Sequence, residues 1–363
     1  MKKLMYIALA ALAALTACTK VEMEDYTPSR KVTFQAAAYV HQTKSSSSVM
    51  SQFTSFTSKA YLHTEGYAQA QDFFGANGEI IRAYDNNDQV TTTIGQEKYW
   101  APAHDYYWPK SGESSINFIA WYDKKGTIPN KASEDTLSWV NYTVAQDDRL
   151  VYADEVWNYN QNTVNGSQYA ADPITSGVPM LFHHALAQLQ VNAKMTNASN
   201  GAIRKTVTIS NFVLSDVYTR GTLTLTNSNP GTVRTKEWTV EGGSWTGQSV
   251  AQNLTANSAT LSTEERDLLT LRSILPQDVT QDMFISFDCA ISTYYGNNEN
   301  AFSVEEISFS KKLIQLVPEI EQWAMGHKII YTLVFDASTD LIVISPTLQD
   351  WDNNIGGGGV TLE

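Results

Sequence analysis

The amino-acid sequence predicts an all-β protein made of two β-sandwich domains in tandem, with few short helices. Three observations lead to this prediction. Short segments alternate apolar and polar residues, the connections between them are rich in Asn, Gly and Ser, and helix signals are scarce. With 363 residues, the chain also exceeds the size at which one hydrophobic core usually stops growing, so two domains are expected.

The strands are predicted from two-residue periodicity and from their Thr, Val and Ile content. The first, in residues 31–40, places Val32, Phe34 and Ala36 on one face. Residues 222–226 alternate threonine and leucine without a break. The remaining predicted strands are residues 116–122, 186–194, 206–214, 283–292, 328–336 and 341–345.

A single helix is predicted near residues 263–271. Ser262 and Glu265 have the spacing of a capping box, and leucines follow at Leu268 and Leu269.

The division between the two domains is predicted where Pro173, Gly177 and Pro179 cluster. This assigns residues 31–177 to an N-terminal sandwich and residues 178–363 to a C-terminal one.

The chain begins with the pattern of a bacterial lipoprotein signal. Two lysines precede an apolar segment that is too short to span a bilayer, and Leu15-Thr16-Ala17-Cys18 ends it with small residues and a cysteine. We expect residues 1–17 to be removed, Cys18 to be lipidated and residues 18–30 to form a tether. The acyl chains would anchor an outer membrane lipoprotein that is exposed on the cell surface. An ordinary cleaved signal peptide is the alternative.

Charge and cysteine content exclude some classes of partner and framework. The formal net charge of -13 disfavours nucleic acid as a partner, because a phosphate backbone would be repelled. Cys289 is the one cysteine besides Cys18, so the mature chain has no intramolecular disulfide framework. Cys289 lies on the apolar face of a predicted strand, which favours a core position.

The sequence carries no recognised catalytic or metal-binding pattern. The sequence has no nucleophile elbow, phosphate loop, zinc-protease signature or paired-cysteine spacing, so we expect no enzymatic activity, no cofactor and no metal. Neighbours on a strand point to opposite faces, so His183 and His184 are expected to lie one inside and one outside. The acidic clusters in residues 85–88 and 350–354 match a calcium loop incompletely and are more typical of turns.

Five motifs occur in a fixed order along the mature chain. They are Tyr106-Tyr107-Trp108-Pro109 with residues 116–122; Phe182-His183-His184-Ala185-Leu186-Ala187-Gln188-Leu189; Leu275-Pro276-Gln277; Trp323 with Gly326 and Tyr331; and Ile342-Val343 through Trp351 to the glycine-rich tail. In this order, behind the lipobox, the chain resembles the fimbrillin (Mfa-like) family of fimbrial subunit lipoproteins from Bacteroides-type bacteria. It departs from the family at Ile329, where an aromatic residue is usual.

The resemblance implies two transthyretin-like sandwiches and a lipoprotein precursor that polymerises into cell-surface fimbriae supporting adhesion. In the family, an arginine- or lysine-directed protease removes the N-terminal segment with the first strand, and a strand of the next subunit fills the groove. Here the strand to be lost is residues 31–40. Candidate processing residues are Lys44 and Lys59, expected in a serine-rich loop, and Arg30, which would cut only the tether.

The candidate donor strand is Leu341, Ile342, Val343 and Ile344, with an ordinary strand of the second sandwich as the alternative interpretation. Expected partners are other fimbrial subunits, in a homo- or heteropolymer, together with a host or bacterial surface ligand. A second hypothesis is a monomeric surface glycan-binding lipoprotein, because nine tryptophans and eighteen tyrosines can form a sugar-stacking platform or fill the cores.

Overall fold

The computed structural model of the protein describes residues 31–38, 48–49, 53–67, 69–93, 96–109, 114–160, 177–196, 199–200, 202–226, 235–240, 244–245, 248–249, 251–256, 258–336, 341–351 and 360–361. Nearly all regular structure in these residues is strand, which confirms the predicted all-β fold class with β-sandwich domains. The one helix there, α1 (Leu313–Leu316), has four residues. None of the described helical structure is long and apolar enough to cross a membrane.

The first group of strands precedes residue 185. Its members are β1 (Phe34–Ala38), β2 (Ser48–Val49), β3 (Ser55–Thr64), β4 (Gln71–Asp72), β5 (Glu79–Tyr84), β6 (Tyr99–Pro102), β7 (Ser114–Asp123), β8 (Lys131–Ser133), β9 (Thr136–Thr143), β10 (Leu150–Ala153), β11 (Val156–Tyr159) and β12 (Val178–His184).

The second group follows residue 186. Its members are β13 (Ala187–Thr196), β14 (Ser199–Asn200), β15 (Ile203–Tyr218), β16 (Arg220–Thr226), β17 (Thr235–Val240), β18 (Ser244–Trp245), β19 (Gln248–Ser249), β20 (Ala251–Ala256), β21 (Ala259–Thr260), β22 (Arg266–Ile274), β23 (Gln277–Asp278), β24 (Phe284–Tyr295), β25 (Ser303–Lys312), β26 (Gln322–Trp323), β27 (His327–Asp336), β28 (Leu341–Asp350) and β29 (Val360–Thr361).

The N-terminal strands form a ten-stranded sheet in the order β11-β7-β10-β12-β1-β6-β5-β3-β4, with β2 beside β1. A further pairing of β3 with β7 closes this path on itself. The enclosed core is rich in aromatic residues, as expected where alternate side chains of a curved sheet converge.

The C-terminal strands form the two layers of a sandwich. One layer has the order β22-β13-β27-β28-β29, and the other has β14-β15-β24-β25 with β20 and β21 on β15. Their inward faces share one core that contains Cys289, as the alternation around that cysteine predicts.

A third sheet, β17-β16-β9-β8, joins the two halves of the chain. In β16, Leu223 and Leu225 are fully buried while the alternating threonines are not, as the sequence periodicity predicts. These leucines pack with Trp121, Trp139 and residues from both halves in a separate core. The two domains therefore share an apolar junction.

The helix predicted near residues 263–271 is wrong, because most of this segment belongs to strand β22. Glu265 does not act in a capping box; its carboxylate accepts a hydrogen bond from Lys194 Nζ at 3.0 Å, across the sheet. Register shifts in the pairing with β13 allow the consecutive residues Leu268 and Leu269 both to be buried. Sheet pairing has overridden the local helix signal.

Strand β12 follows the predicted division between residues 177 and 178, yet it pairs with β1 and β10 of the N-terminal sheet. The predicted boundary remains a prediction. Sheet pairing favours a division a few residues later, after His184.

Candidate functional site

Strand β1, at the start of the described chain, lies inside the N-terminal sheet with neighbours on both edges. On one edge it runs parallel to β12 through five consecutive residue pairs, Phe34 to Ala38. Just before the strand, the N–H of Val178 donates to the carbonyl of Thr33 at 2.8 Å. This edge is a complete ladder.

The other edge of β1 is assembled from three separate pieces. The N–H of Val32 donates to the carbonyl of Tyr106 at 2.8 Å, Phe34 pairs with Trp100 of β6, and the end of the strand pairs with β2. These contacts are short and come from different segments. Most of the regular pairing of β1 is therefore with β12.

Lys31 precedes β1 and forms a surface ion pair. Its Nζ lies 2.7 Å from the Asp105 carboxylate, and that hydrogen bond raises the pKa of Lys31. Both side chains are more than half exposed, so water screens the attraction and the pair contributes little to holding the strand.

The alternate side chains Val32, Phe34 and Ala36 are all buried in the N-terminal core. The Phe34 ring lies 5.9 Å from Phe56 and 5.4 Å from Phe118, both nearly perpendicular, and 6.2 Å from Phe74. Edge-to-face pairs of this kind add stability beyond the buried area. Phe56 and Phe74 were not predicted to be core partners of β1. The concentration of phenylalanines at positions 53, 56, 73 and 74 is the sequence feature that could have indicated them.

Gly177 precedes β12 and lies directly against the backbone of Phe34. A Cβ atom at Gly177 would be 2.5 Å from the Phe34 carbonyl carbon and 2.7 Å from its Cα. Real Cβ atoms do not approach backbone this closely, so the chain requires glycine here for packing. Gly177 was predicted only as part of a domain boundary.

Of the candidate processing and lipidation residues, the structure describes only Lys59. Cys18, Arg30 and Lys44 lie outside the described residues. Lys59 lies within β3, opposite Ile119 of β7, so its predicted place in a serine-rich loop is wrong. Its Nζ donates to the Ala132 carbonyl at 2.9 Å and its side chain is 11% exposed.

The candidate donor residues 341–344 lie at the start of β28, which pairs antiparallel with β27 along its whole length. Ile344 belongs to the C-terminal core and Ile342 packs against it, whereas Val343 is 54% exposed. Among the described residues, β29 pairs only with Thr347 and Leu348 on the outer edge of β28. In this structure the run is an ordinary strand, as the alternative interpretation expected, and its donor role stays a prediction.

The histidine pair lies at the junction of the two domains, and both side chains are buried. The expectation of one histidine inside and one outside is therefore wrong, although the two do contact different partners. His184 stacks on Trp351 at 4.3 Å, and His183 stacks on Tyr152 at 5.4 Å with its Nε2 2.8 Å from Asp154. Both histidines are covered by aromatic rings, His183 by Tyr152 of β10 and His184 by Trp351.

The motifs that carry the family resemblance have structural roles here. Gln277 accepts a hydrogen bond from the Tyr218 N–H at 2.9 Å and donates to the Tyr218 carbonyl at 3.1 Å. The Trp323 indole N–H donates to the Tyr331 hydroxyl at 2.9 Å within the core. Burial raises the pKa of Tyr331. Ile329, the departure from the family pattern, is fully buried.

The acidic side chains and tryptophans of the described residues bear on the metal-binding and sugar-binding hypotheses. The Asp85 carboxylate accepts backbone N–H bonds from Asn87 and Gln89 at 2.8 and 3.0 Å, which is a turn. Within the described ranges, no three His, Cys, Asp or Glu side chains are grouped to hold a metal ion. No tryptophan whose side chain the structure describes is exposed, so these tryptophans do not form an open sugar-stacking platform.

Comparison with known proteins places the chain in a family. The family model described as fimbrillin-like matches residues 56–351, and the chain belongs to that family. No curated protein sequence matches it.

Among solved structures, a fimbrial protein from Bacteroides vulgatus is similar, with 15% identity, a TM-score of 0.50, and 89% of this chain and 100% of that chain covered. The fimbrial anchor protein Mfa2 from Porphyromonas gingivalis matches with 9% identity and a TM-score of 0.33, over 89% of this chain and 98% of that chain. At these identities the likeness concerns the fold alone.

Proposed function

We propose that the protein is a structural subunit of cell-surface fimbriae, exported as a lipoprotein precursor and assembled by proteolytic trimming followed by strand exchange. The placement of β1 carries this proposal. It is the first described strand, it lies in the interior of a sheet, and most of its regular pairing is with one neighbour, β12. A single cut after it would free an internal strand.

Loss of β1 would leave a groove with unpaired backbone groups and unfilled apolar positions. The β12 edge would expose unpaired N–H and C=O groups, which are a template for an added strand. The core would lose Val32, Phe34 and Ala36, and burial of a valine or phenylalanine side chain stabilises by about 1.5–3 kcal/mol each. A donor strand with apolar residues at alternate positions would restore both.

Lys44 is the preferred processing residue in this proposal. Arg30 precedes β1, so a cut there would leave the strand attached. Lys59 lies in β3 between β5 and β7, and a protease needs an extended, accessible backbone that a paired central strand does not offer. A cut after Lys44 would detach β1 together with the tether and the lipid on Cys18.

In this proposal the strand that the chain donates to the groove of a neighbouring subunit is the run 341–344. In the described chain this run is paired with β27, so donation would require it to leave that pairing. Within the described residues β29 pairs only with later residues of β28, Thr347 and Leu348, and the outer edge of residues 341–344 gives access to the run. The alternative, a glycan-binding monomer, has less support, because the described tryptophans are buried or half-buried.

Surface polymer formation tests the proposal. Outer-membrane fractions from cells producing the wild-type chain, run without heating on SDS gels, are expected to show a ladder of polymers. Lys44→Gln should abolish the ladder, while Lys131→Gln, at an exposed lysine of β8, should leave it intact. A wild-type chain that runs only as a monomer would contradict the polymer role; a persistent ladder in Lys44→Gln would contradict Lys44 as the site.

The precursor is expected to be monomeric, because β1 occupies its own groove. Chromatography of the chain lacking residues 1–17 should give one species near the monomer mass. A stable polymer formed without proteolysis would argue against strand exchange.

A further inference from the structure

The side chains that β1 and the two residues before it place in the core have a fixed order of sizes. Val32 is medium, Phe34 is large and Ala36 is small, and all three are buried at alternate positions. The surroundings of the Phe34 ring, here called the Phe34 seat, consist of Phe56, Phe74 and Phe118.

The geometry of the Phe34 seat is specific for an aromatic ring. Phe56 and Phe118 meet the Phe34 ring at interplanar angles of 86° and 88°, so ring edges meet ring faces. That arrangement depends on the quadrupole of a π-system, which an aliphatic side chain lacks. An aliphatic occupant would also leave part of the seat empty, and close-packed cores tolerate such voids poorly.

The backbone at Phe34 is closely packed as well. A Cβ atom at Gly177 would lie 2.5 Å from the Phe34 carbonyl carbon, so the two backbones are already in direct contact. A strand that replaces β1 therefore cannot shift toward β12 to compensate for a poorly fitting side chain at the Phe34 position.

The chain's own C-terminal run does not match this seat. Ile342 and Ile344 share one face of β28, with Pro346 next on that face, and none carries an aromatic ring. After Phe335 the one aromatic residue is Trp351, which is buried against His184 at the domain junction.

On the basis of the proposed strand exchange, we propose that the Phe34 seat selects the donor strand. The preferred partner carries an aromatic residue at the central inward position and a small residue two positions along. The C-terminal run of a second copy of this chain offers no such strand, so the groove is filled by a strand of a different subunit, and the assembly is a heteropolymer at this joint.

Peptide exchange into the nicked, full-length chain tests this selection. A site-specific protease sequence is inserted between Lys44 and Ser45 of the chain lacking residues 1–17, and the folded protein is cut there so that β1 stays bound. A fluorescent peptide of residues 31–38 is then exchanged in, and unlabelled peptides compete with it.

The expected order of competitors follows from the seat. The Phe34→Ile peptide should bind about tenfold more weakly than the wild-type peptide, and Phe34→Ala about a hundredfold or more. A Thr33→Ser peptide, altered outside the core face, should match the wild type. A peptide of residues 341–348 should bind at least about tenfold more weakly than residues 31–38.

The outcomes separate this inference from the function on which it rests. Equal binding by the wild-type and Phe34→Ile peptides, or tight binding by the peptide of residues 341–348, would overturn the selection while leaving strand exchange intact. Failure of every peptide, including the wild type, to enter the nicked protein would overturn strand exchange itself.

Discussion

Gly177 and Phe34 are in backbone contact across the parallel pair of β12 and β1. A methyl group at Gly177 would lie 2.5 Å from the Phe34 carbonyl carbon and 2.8 Å from its nitrogen. The neighbouring hydrogen bond from Val178 N–H to the Thr33 carbonyl, 2.8 Å long, fixes the same approach. The position of β1, the strand that is proposed to be released, therefore depends on a backbone contact that one added side-chain atom at Gly177 would disturb.

Replacement of Gly177 by alanine should therefore loosen β1. Because the new Cβ meets backbone rather than a movable side chain, the strand must shift, and overpacking of this kind costs about 1–3 kcal/mol. Urea unfolding should report that loss, and hydrogen exchange in residues 34–38 should speed up. The control is Gly126→Ala, where the Cβ meets nothing within 4 Å but φ is +71°. Gly126→Ala should lower stability by about 1 kcal/mol without changing hydrogen exchange in β1. Unchanged hydrogen exchange of β1 in Gly177→Ala would contradict the contact between Gly177 and Phe34.

Two neighbours in β28 should respond oppositely to charge. Ile344 is 8% exposed and belongs to the C-terminal core, whereas Val343 is 54% exposed. Ile344→Lys buries an amine in apolar surroundings, so we expect a loss of at least about 3 kcal/mol and a drop of many degrees in Tm. Val343→Lys should stay within about 0.5 kcal/mol of wild type.

The same pair bears on the donor strand. A stable Ile344→Lys monomer would show that the run 341–344 contributes little to its own domain, as a strand reserved for a neighbour would. A large loss in Val343→Lys would mean that the outer face of β28 is covered in the monomer.

Cys289 should be chemically silent in the folded protein. Burial is the main cause that raises the pKa of its thiol from 9.0 to about 11, so at pH 8 the reactive thiolate is about a hundredfold scarcer than in an unfolded chain. In a Cys18→Ala variant, iodoacetamide should label Cys289 slowly in buffer and rapidly in urea, as read by mass spectrometry. Equally fast labelling in both conditions would contradict the buried position.

The pH dependence of stability follows from the same shift. A thiol whose pKa is higher in the folded state binds its proton more tightly there, so its contribution is complete below about pH 9 and is lost as pH rises through about 11. Cys289→Ser should remove that part of the alkaline loss of stability, measured by urea unfolding between these two pH values.

Much of the strand content could be predicted from the sequence because local periodicity determines it. The alternation of Leu223 and Leu225 with threonine identifies both the strand and its buried face. The prediction of a helix near residues 263–271 failed because Glu265, one half of the capping-box signal, accepts a cross-strand hydrogen bond from Lys194 instead. Only the residue with which Glu265 pairs shows whether it caps a helix or accepts a hydrogen bond across a sheet.

The candidate site depends on contacts that local patterns do not contain. The parallel pairing of β1 with β12 joins residues more than a hundred positions apart, and nothing in either segment specifies the other. For that reason Gly177 could be recognised as a residue of a connection between domains but not as the residue that packs against the Phe34 backbone. Likewise, burial of both histidines depends on Trp351 and Tyr152, which lie far from them in the sequence, just after β28 and on β10.

The most direct test of the account is the N-terminus of the chain in filaments and in membranes. Surface filaments are sheared from cells, the membrane fraction is kept, and both are analysed by mass spectrometry. We expect chains in filaments to begin at Ser45 and to lack residues 31–38, while the membrane precursor begins at an acylated Cys18. Filament chains that retain residues 31–38 would contradict the central claim that release of β1 opens the subunit for assembly.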